Sequence, residues 1–191
     1  GLVALSADRL ADMARRAAHD VMLRNDAEGV RRVVANIGSQ EGVTRIRVYN
    51  KEGRVRVSSL PAEEGTLVPI RSEECIACHA ESQPKAGLER GDRIRMLRGQ
   101  DGERILGIIT PIYNEPACTA CHVHPASQRV LGVLDVRLSM AQADAMVRAS
   151  ERQLTYGLLA TGAAVLGVSF LLLWALVLRP VKRLRTAIER A

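Results

Sequence analysis

The N-terminal part of the chain carries apolar side chains at helical spacing. Over residues 6–23, spacings of three and four residues place one apolar stripe along a helix, formed by Leu10, Ala14, Ala17 and Val21. Asn25-Asp26 and Gly38 are typical of the start and the end of a second helix. Its apolar positions are Val30, Val33, Val34 and Ile37. The pattern predicts two amphipathic helices, each with one buried face.

Alternating apolar and polar residues then predict strands at 44–49 and 54–58. Further strands are predicted at 93–97, 104–113 and 130–138. Turns at 50–53 and 99–102 join the first two pairs into hairpins. Regular patterning is missing between Pro61 and Arg93 and again after Tyr113, so we expect loops there. Ser139 can cap a final helix. Together, these helices and strands predict an α+β fold in which an antiparallel sheet is flanked by helices.

Residues 155–178 carry no formal charge and are rich in Leu, Val, Ala and Gly. As a helix this segment is about 36 Å long, enough to cross a hydrocarbon core of about 30 Å. Basic residues follow it at Arg179, Lys182, Arg183 and Arg185, so the positive-inside rule places this end in the cytoplasm. We therefore predict a domain over 1–153, a transmembrane helix over 154–178 and the start of a cytoplasmic linker over 179–191.

Composition narrows the class of protein. An apolar share of 47% suits a packed core, whereas only 3% of residues are aromatic, so a bound planar cofactor can supply the large flat apolar bodies. The net charge is +6, but the arginines alternate along strand-like segments such as Thr44–Tyr49 without interleaved aromatics. We interpret them as solvated strand faces and expect no nucleic-acid partner.

The chain's four cysteines all lie in two CxxCH motifs, CIACH at 75–79 and CTACH at 118–122. Two thiols three residues apart share one side of a turn, and the adjacent histidine adds an imidazole at the same point. That combination is typical of covalent c-type haem attachment. We predict two haem c groups. Their thioether cysteines are Cys75, Cys78, Cys118 and Cys121, and the proximal iron ligands are His79 and His122.

Three other uses of paired cysteines remain as alternatives: a zinc site built from both pairs, a thioredoxin-like dithiol, and a structural disulfide within each pair. None of the three explains why a histidine follows each pair. Haem c is attached outside the bacterial cytoplasm, so its presence predicts a periplasmic domain anchored in the inner membrane. The basic residues after the apolar segment predict the same orientation.

The sixth iron position has several candidates. His124 is too near His122 to reach the opposite face of the same ring, so as a ligand it would serve the first haem or one in a partner chain; otherwise it is a surface residue. His19 lies on a helix face that we expect to be polar, which favours a solvated side chain over iron ligation. Methionine ligands would raise the reduction potential, and the candidates are Met13, Met22, Met96, Met140 and Met146. Arg93, Arg95 and Arg98 can pair with haem propionates or lie on the strand surface.

The whole arrangement resembles the haem-c-containing, PAS/Cache-like periplasmic sensor regions of bacterial membrane histidine kinases. Pro180, Val181, Leu184 and Ile188 resemble the first helix of a HAMP linker. The resemblance implies a PAS/Cache-like sheet with two haem-bearing loops, a homodimer, and a signal passed through the membrane to a cytoplasmic output such as a kinase. Residues 1–191 contain no phosphate-binding glycine loop or phosphoacceptor box, so we predict no catalytic site within them.

The function expected from these features is a redox or ligand sensor, with a small gas as one candidate ligand. The alternative is a membrane-anchored dihaem cytochrome that exchanges electrons with periplasmic donors or acceptors. A pure carrier needs only an anchor and gains nothing from a heptad pattern after the span, which favours the sensor.

Overall fold

The computed structural model describes residues 2–80, 85, 87–89, 91–99, 101–120, 125, 127–174, 176 and 179. Its helices are α1 (Leu2–Leu23), α2 (Ala27–Gly38), α3 (Glu73–His79) and α4 (Ala141–Leu173). Its strands are β1 (Val43–Asn50), β2 (Val55–Ser58), β3 (Ile94–Arg98), β4 (Arg104–Tyr113) and β5 (Val130–Ser139). Short 3-10 turns occupy Pro61–Glu63, Gly91–Arg93 and Pro116–Ala120.

The strands form one antiparallel sheet in the order β2-β1-β5-β4-β3. Both predicted hairpins are present, and β5 inserts between β1 and β4 at the centre of the sheet. Turn chemistry explains the first hairpin: the Asn50 side chain accepts a hydrogen bond from Arg54 N at 2.9 Å, and Gly53 takes a φ of 77°. The predicted α+β fold with an antiparallel sheet and flanking helices is confirmed.

Helices α1 and α2 pack on one face of the sheet, which we call the helix face. Because side chains alternate along a strand, this face collects every second residue. Its buried core includes Ile46, Val48, Ile108, Leu134 and Val136. Helix α2 begins as predicted, since the Asp26 carboxylate accepts a hydrogen bond from Gly29 N at 2.7 Å. Val30 and Val34 are its buried valines.

The apolar stripe predicted for α1 is wrong, because the buried side of the helix is rotated slightly about the helix axis from the predicted one. The buried apolar positions are Ala7, Ala11, Ala14 and Ala18, whereas Ala17 is exposed. Alanine is only weakly hydrophobic, so a row of alanines gives a weak apolar signal in the sequence. Its small side chain nevertheless lets a helix approach a sheet closely. The rotation carries the neighbouring position 19 away from the solvent-facing side on which it was expected.

Charged side chains lie inside the opposite face of the sheet. Asp135 is 1% exposed, and its carboxylate accepts hydrogen bonds from Arg47 Nη2 at 2.7 Å and Tyr49 Oη at 3.0 Å. Arg137 Nε lies 3.4 Å from the same oxygen. Burial, followed by the negative charge of Asp135, raises the pKa of Tyr49 above its usual range. The interpretation of the β1 arginines as a solvated face is therefore wrong for Arg47, which is buried in this ion-pair network.

Helix α4 runs without a break from Ala141 to Leu173. In the described part of the chain, α4 is the one helix that is long and apolar enough to cross a membrane. Its most apolar window has a mean hydropathy of 2.0. The Ser139 hydroxyl accepts a hydrogen bond from Ala141 N at 3.2 Å, as expected of a residue that caps this helix. The last part of the predicted span and the predicted HAMP-like linker lie mostly outside the described residues.

Candidate cofactor sites

The first CxxCH motif lies on a helix, although the sequence pattern predicted a loop. Helix α3 (Glu73–His79) begins after Ser72, whose carbonyl accepts hydrogen bonds from Cys75 N and Ile76 N at 3.0 Å. An acidic residue in its first turn and His79 in its last turn both suit the helix dipole. The seven residues form too short an amphipathic segment to show a periodic stripe. On this helix Cys75, Cys78 and His79 share one side, because they are three and four residues apart.

These three side chains line a cavity of about 690 Å³ beside the face that carries Asp135. A cavity of this size is within the range of about 300–1,000 Å³ that holds small molecules and cofactors. The sheet contributes Tyr49, Ile109, Pro111 and Val133 to its wall. The first motif therefore has a preformed space next to it.

The rim of this cavity exposes an unusual amount of apolar surface. Leu67 is 61% exposed and Ile70 is 59% exposed, and both line the cavity. Clustered exposed apolar side chains mark a surface that binds a partner or ligand. A planar apolar group tethered at Cys75 and Cys78 would cover such side chains, so the residues present fit a haem at this point.

Arg95 lies near α3 but lines a separate void of about 10 Å³, which it shares with Glu73. Burial raises the pKa of the Cys78 thiol, and the positive charge of Arg95 opposes this rise. The two terminal nitrogens of Arg95, Nη1 and Nη2, are buried without a hydrogen-bond partner in the described part of the chain. By contrast, Arg93 Nε donates to the Leu88 carbonyl at 3.2 Å, and Arg98 is exposed.

The second motif starts in the 3-10 turn Pro116–Ala120. Cys118 is buried, and its Sγ lies 3.7 Å from Nε2 of His19 on α1. The side chain of His19 is 17% exposed, so the expectation of a solvated histidine is wrong. The reason is a tertiary contact: the turn that carries Cys118, 99 residues away in sequence, packs against the side of α1 that carries His19.

His19 and Cys118 line a cavity of about 480 Å³, which also falls in the range for bound cofactors. Met22 lies in the same wall, whereas Met13, Met96 and Met146 are largely exposed and line neither cavity. The wall on the sheet side includes Val48 and Ile112, which belong to the helix face. Cys121, His122 and His124 lie outside the described residues, so their predicted roles stay predictions.

The two cavities lie against opposite faces of the same sheet. Ile109 and Pro111 line the first, whereas Ile112 lines the second, as the alternation of side chains along β4 requires. Tyr49, Asn50 and Gly132 line both. The end of β1 and the start of β5 thus form a common wall, one strand layer thick.

Gly132 is required at this wall by close packing. A Cβ at this position would lie 2.3 Å from the carbonyl oxygen of Tyr49, a distance that no side chain tolerates. Sequence reasoning missed both Gly132 and Tyr49 as wall residues. The available signal was a glycine and an acidic residue, Asp135, within the first seven residues of β5, which are otherwise apolar. Such residues often mark a close backbone approach and a buried polar network.

The positions of the cysteines bear on the three alternative uses, which are a shared zinc site, a thioredoxin-like dithiol and structural disulfides. Cys75, Cys78 and Cys118 are free thiols. A zinc site shared by both motifs would bring Cys118 to the first pair, yet it lies in the cavity on the helix face. In the part of the chain that the structure describes, no three His, Cys, Asp or Glu side chains are grouped to hold a metal ion.

Comparisons with known protein families and with curated proteins found no match to this chain.

Proposed function

We propose that the chain is the dihaem c-type sensor region of a membrane receptor, with one haem in each of the two cavities. The observation that carries the proposal is that each CxxCH motif contributes at least one cysteine to its own cofactor-sized cavity, on opposite faces of one sheet. Thioether bonds at Cys75 and Cys78 would hold the first haem, and bonds at Cys118 and Cys121 the second. His79 and His122 are the proposed proximal ligands, and the haem irons would supply reversible one-electron chemistry.

His19 is the proposed sixth ligand of the second haem. It is half-buried in the cavity of Cys118, and its Nε2 is directed toward that cysteine. The Glu115 carboxylate lies 3.9 Å from Nε2, too far for a hydrogen bond, so it leaves this nitrogen available. Met22 is the alternative ligand from the same wall. His124 remains a predicted ligand of the first haem or of a haem in a partner chain.

Replacing His19 by alanine is expected to convert one of the two haems from a six-coordinate low-spin state to a five-coordinate high-spin state, because the iron loses a strong-field nitrogen ligand. Optical and EPR spectra of the full chain measure this change, and added imidazole should reverse it. Met13→Ala, on the exposed side of α1, is the matched control and should leave both haems unchanged. If His19→Ala keeps both haems low-spin while Met22→Leu does not, Met22 is the ligand instead.

The proposed sensing role is supported by the path from the cavities to α4. The first residues of β5 line both cavities, and β5 ends at Ser139, two residues before α4 begins. A change at either haem can therefore act on one strand that continues into the membrane-spanning candidate. The strand order β2-β1-β5-β4-β3 places β5 at the centre of the sheet, between β1 and β4. In this proposal the domain is periplasmic and dimeric, and α4 crosses the inner membrane.

Signalling requires that the oxidised and reduced forms favour different arrangements of α4. We expect the distance between gadolinium spin labels attached at Ser150→Cys in the two chains of a dimer to change on reduction of the full chain in detergent. Gadolinium labels survive the reductant, and the native cysteines are blocked when haem is attached. The same label in a protein lacking all four motif cysteines is the control, since the reductant alone should change nothing there.

An unchanged distance distribution in a haem-loaded dimer would contradict sensing and favour the second candidate function, electron transfer by a membrane-anchored cytochrome. One observation favours that candidate: Tyr49, Asn50 and Gly132 line both cavities, so the two haems would be separated by a single strand layer. Rapid oxidation by a soluble periplasmic cytochrome would then be its positive test.

A further inference from the structure

Arg129 is a cationic residue in the wall of the first cavity, and no sequence pattern pointed to it. It lies directly before β5, is exposed, and lines the same cavity as Cys75, Cys78 and His79. Its guanidinium makes no hydrogen bond or ion pair with another residue in the described part of the chain. The charge of Arg129 is therefore available to a group that binds in this cavity.

The wall of this cavity carries more positive than negative charge. Lys51, Lys85 and Arg129 line it, and among the described residues they face one lining carboxylate, that of Glu52. Lys51 and Arg129 are exposed, so their charges lie at the mouth of the cavity. The rest of the wall is mostly apolar. An apolar wall with cations at its mouth suits a ligand that has an apolar body and carboxylates at one edge.

Haem c has this polarity. Its thioether bonds form on one edge of the ring, and its two propionate carboxylates lie on the opposite edge. Helix α3, which carries the first pair of cysteines, begins beside Asp135, because Glu73 and Asp135 line one small void. Arg129 precedes Asp135 by six residues, which is about 20 Å along an extended strand. A ring attached at α3 can therefore direct its propionates toward the end of the cavity that Arg129 lines.

The other two cations of the wall are less suited to a propionate. The Lys51 Nζ lies 3.9 Å from the carboxylate of Glu52, which offsets part of its charge. The backbone N–H of Lys85 donates to the Cys78 carbonyl at 2.9 Å, so Lys85 lies at the attachment end of the cavity. Arg129 in addition carries a planar fork of donors that matches a carboxylate with two parallel hydrogen bonds.

The backbone of Arg129 is held at the neck of the loop that carries the second motif. This loop leaves β4 at Asn114 and returns to β5 after Arg129. The Asn114 N–H donates to the Arg129 carbonyl at 2.9 Å, and Asn114 Nδ2 donates to the Gln128 carbonyl at 3.0 Å. Arg129 therefore joins the first cavity to the base of the second motif's loop and to the start of β5.

We propose that Arg129 binds a propionate carboxylate of the first haem, raises its reduction potential and ties this haem to the strand that leads to α4. The inference rests on the proposed function, because it assumes haem at Cys75 and Cys78. A positive charge near the iron favours the ferrous state, which carries one positive charge less. Solvent screens a pair at the mouth of a cavity, so we expect a modest effect on the potential.

The test is a spectroelectrochemical titration of the full chain that carries only the first haem, made with Cys118→Ser/Cys121→Ser. We expect Arg129→Gln to shift the equilibrium between ferric and ferrous haem about threefold toward ferric. At 59 mV per tenfold change for a one-electron couple, this is a fall of about 28 mV. Arg129→Lys keeps the charge and should recover most of the shift. Arg98→Gln, a control at an exposed arginine that lines neither cavity, should titrate like the parent protein.

Intact mass separates the ways in which the inference can fail. A chain without covalent haem would contradict the proposed function itself. If haem is attached and Arg129→Gln titrates like its parent, the role of Arg129 is wrong and the proposed function stands. Arg129→Lys shifting as far as Arg129→Gln would also overturn the inference, because the charge would then have no effect.

The reciprocal protein, Cys75→Ser/Cys78→Ser, carries only the second haem and shows whether the effect is specific. There Arg129→Gln should leave the potential nearly unchanged, because the second haem occupies the cavity on the other sheet face. An equal fall in both proteins would mean that Arg129 acts as a distant charge rather than through a bond to the first haem's propionate, and the inference would be wrong.

Discussion

Replacing Cys75 and Cys78 together by serine is expected to remove one haem and to leave the other in place. The reason is geometric: the first motif lies on α3 at one sheet face, and Cys118 lies in a separate cavity at the other. Attachment at the second motif should not depend on the first. Intact mass spectrometry of chain made in cells competent in cytochrome maturation measures the result as the loss of one of two haem masses.

The reciprocal variant, Cys118→Ser with Cys121→Ser, should leave a single haem at the first motif. Ala80→Ser is the matched control, because it places a serine at the exposed end of α3 without removing a thiol, and it should retain both haems. Bare thiols or a bound zinc ion in the unaltered chain would contradict the proposal. Loss of both haems when only one motif is replaced would show that the two sites are not independent.

Replacing Asp135 by alanine is expected to lower the free energy of unfolding by about 3–5 kcal/mol, the cost of removing one partner from a buried ion pair. Asp135 and Arg47 are 1% and 6% exposed. Without the carboxylate, the charge of Arg47 stays buried in the sheet beside Arg137, and the Tyr49 hydroxyl loses its acceptor. The effect should be large because water cannot replace the lost partner at the centre of the sheet.

Pulse proteolysis of the detergent-solubilised full chain across a urea series measures this free energy for the domain without interference from α4. Asp12→Ala is the matched control. Asp12 also pairs with two arginines, Arg15 and Arg16, but its side chain is 39% exposed on α1. We expect a loss of about 1 kcal/mol or less there. Equal losses in the two variants would mean that the buried network contributes no more than a surface pair.

Local patterns were sufficient for most of the secondary structure. Alternation predicted β1 and β2, and apolar runs between turn residues predicted β3, β4 and β5, each to within one or two residues. The CxxCH spacing predicted a cofactor attachment, since two thiols and an imidazole within one turn are a local arrangement. Helix α4 was predicted from length and lack of charge. These features depend on neighbours along the chain.

Other features depend on contacts between residues far apart in sequence. The placement of His19 against Cys118 joins positions 99 residues apart, and the polar residues around His19 in sequence suggested solvent instead. Arg47 has the alternation of a surface residue, yet Asp135, 88 residues away, neutralises it inside the sheet. The common wall at Tyr49 and Gly132 exists only because β5 inserts beside β1.

The sequence by itself therefore determined most of the elements and predicted which side chains attach a cofactor, because both follow from spacing within a few residues. Only the tertiary structure decided that Cys118 and the pair Cys75 and Cys78 line separate cavities on opposite faces of the sheet. It also placed His19 in the wall of the cavity of Cys118. Burial and ion pairing are properties of the packed chain, and a linear pattern records neither.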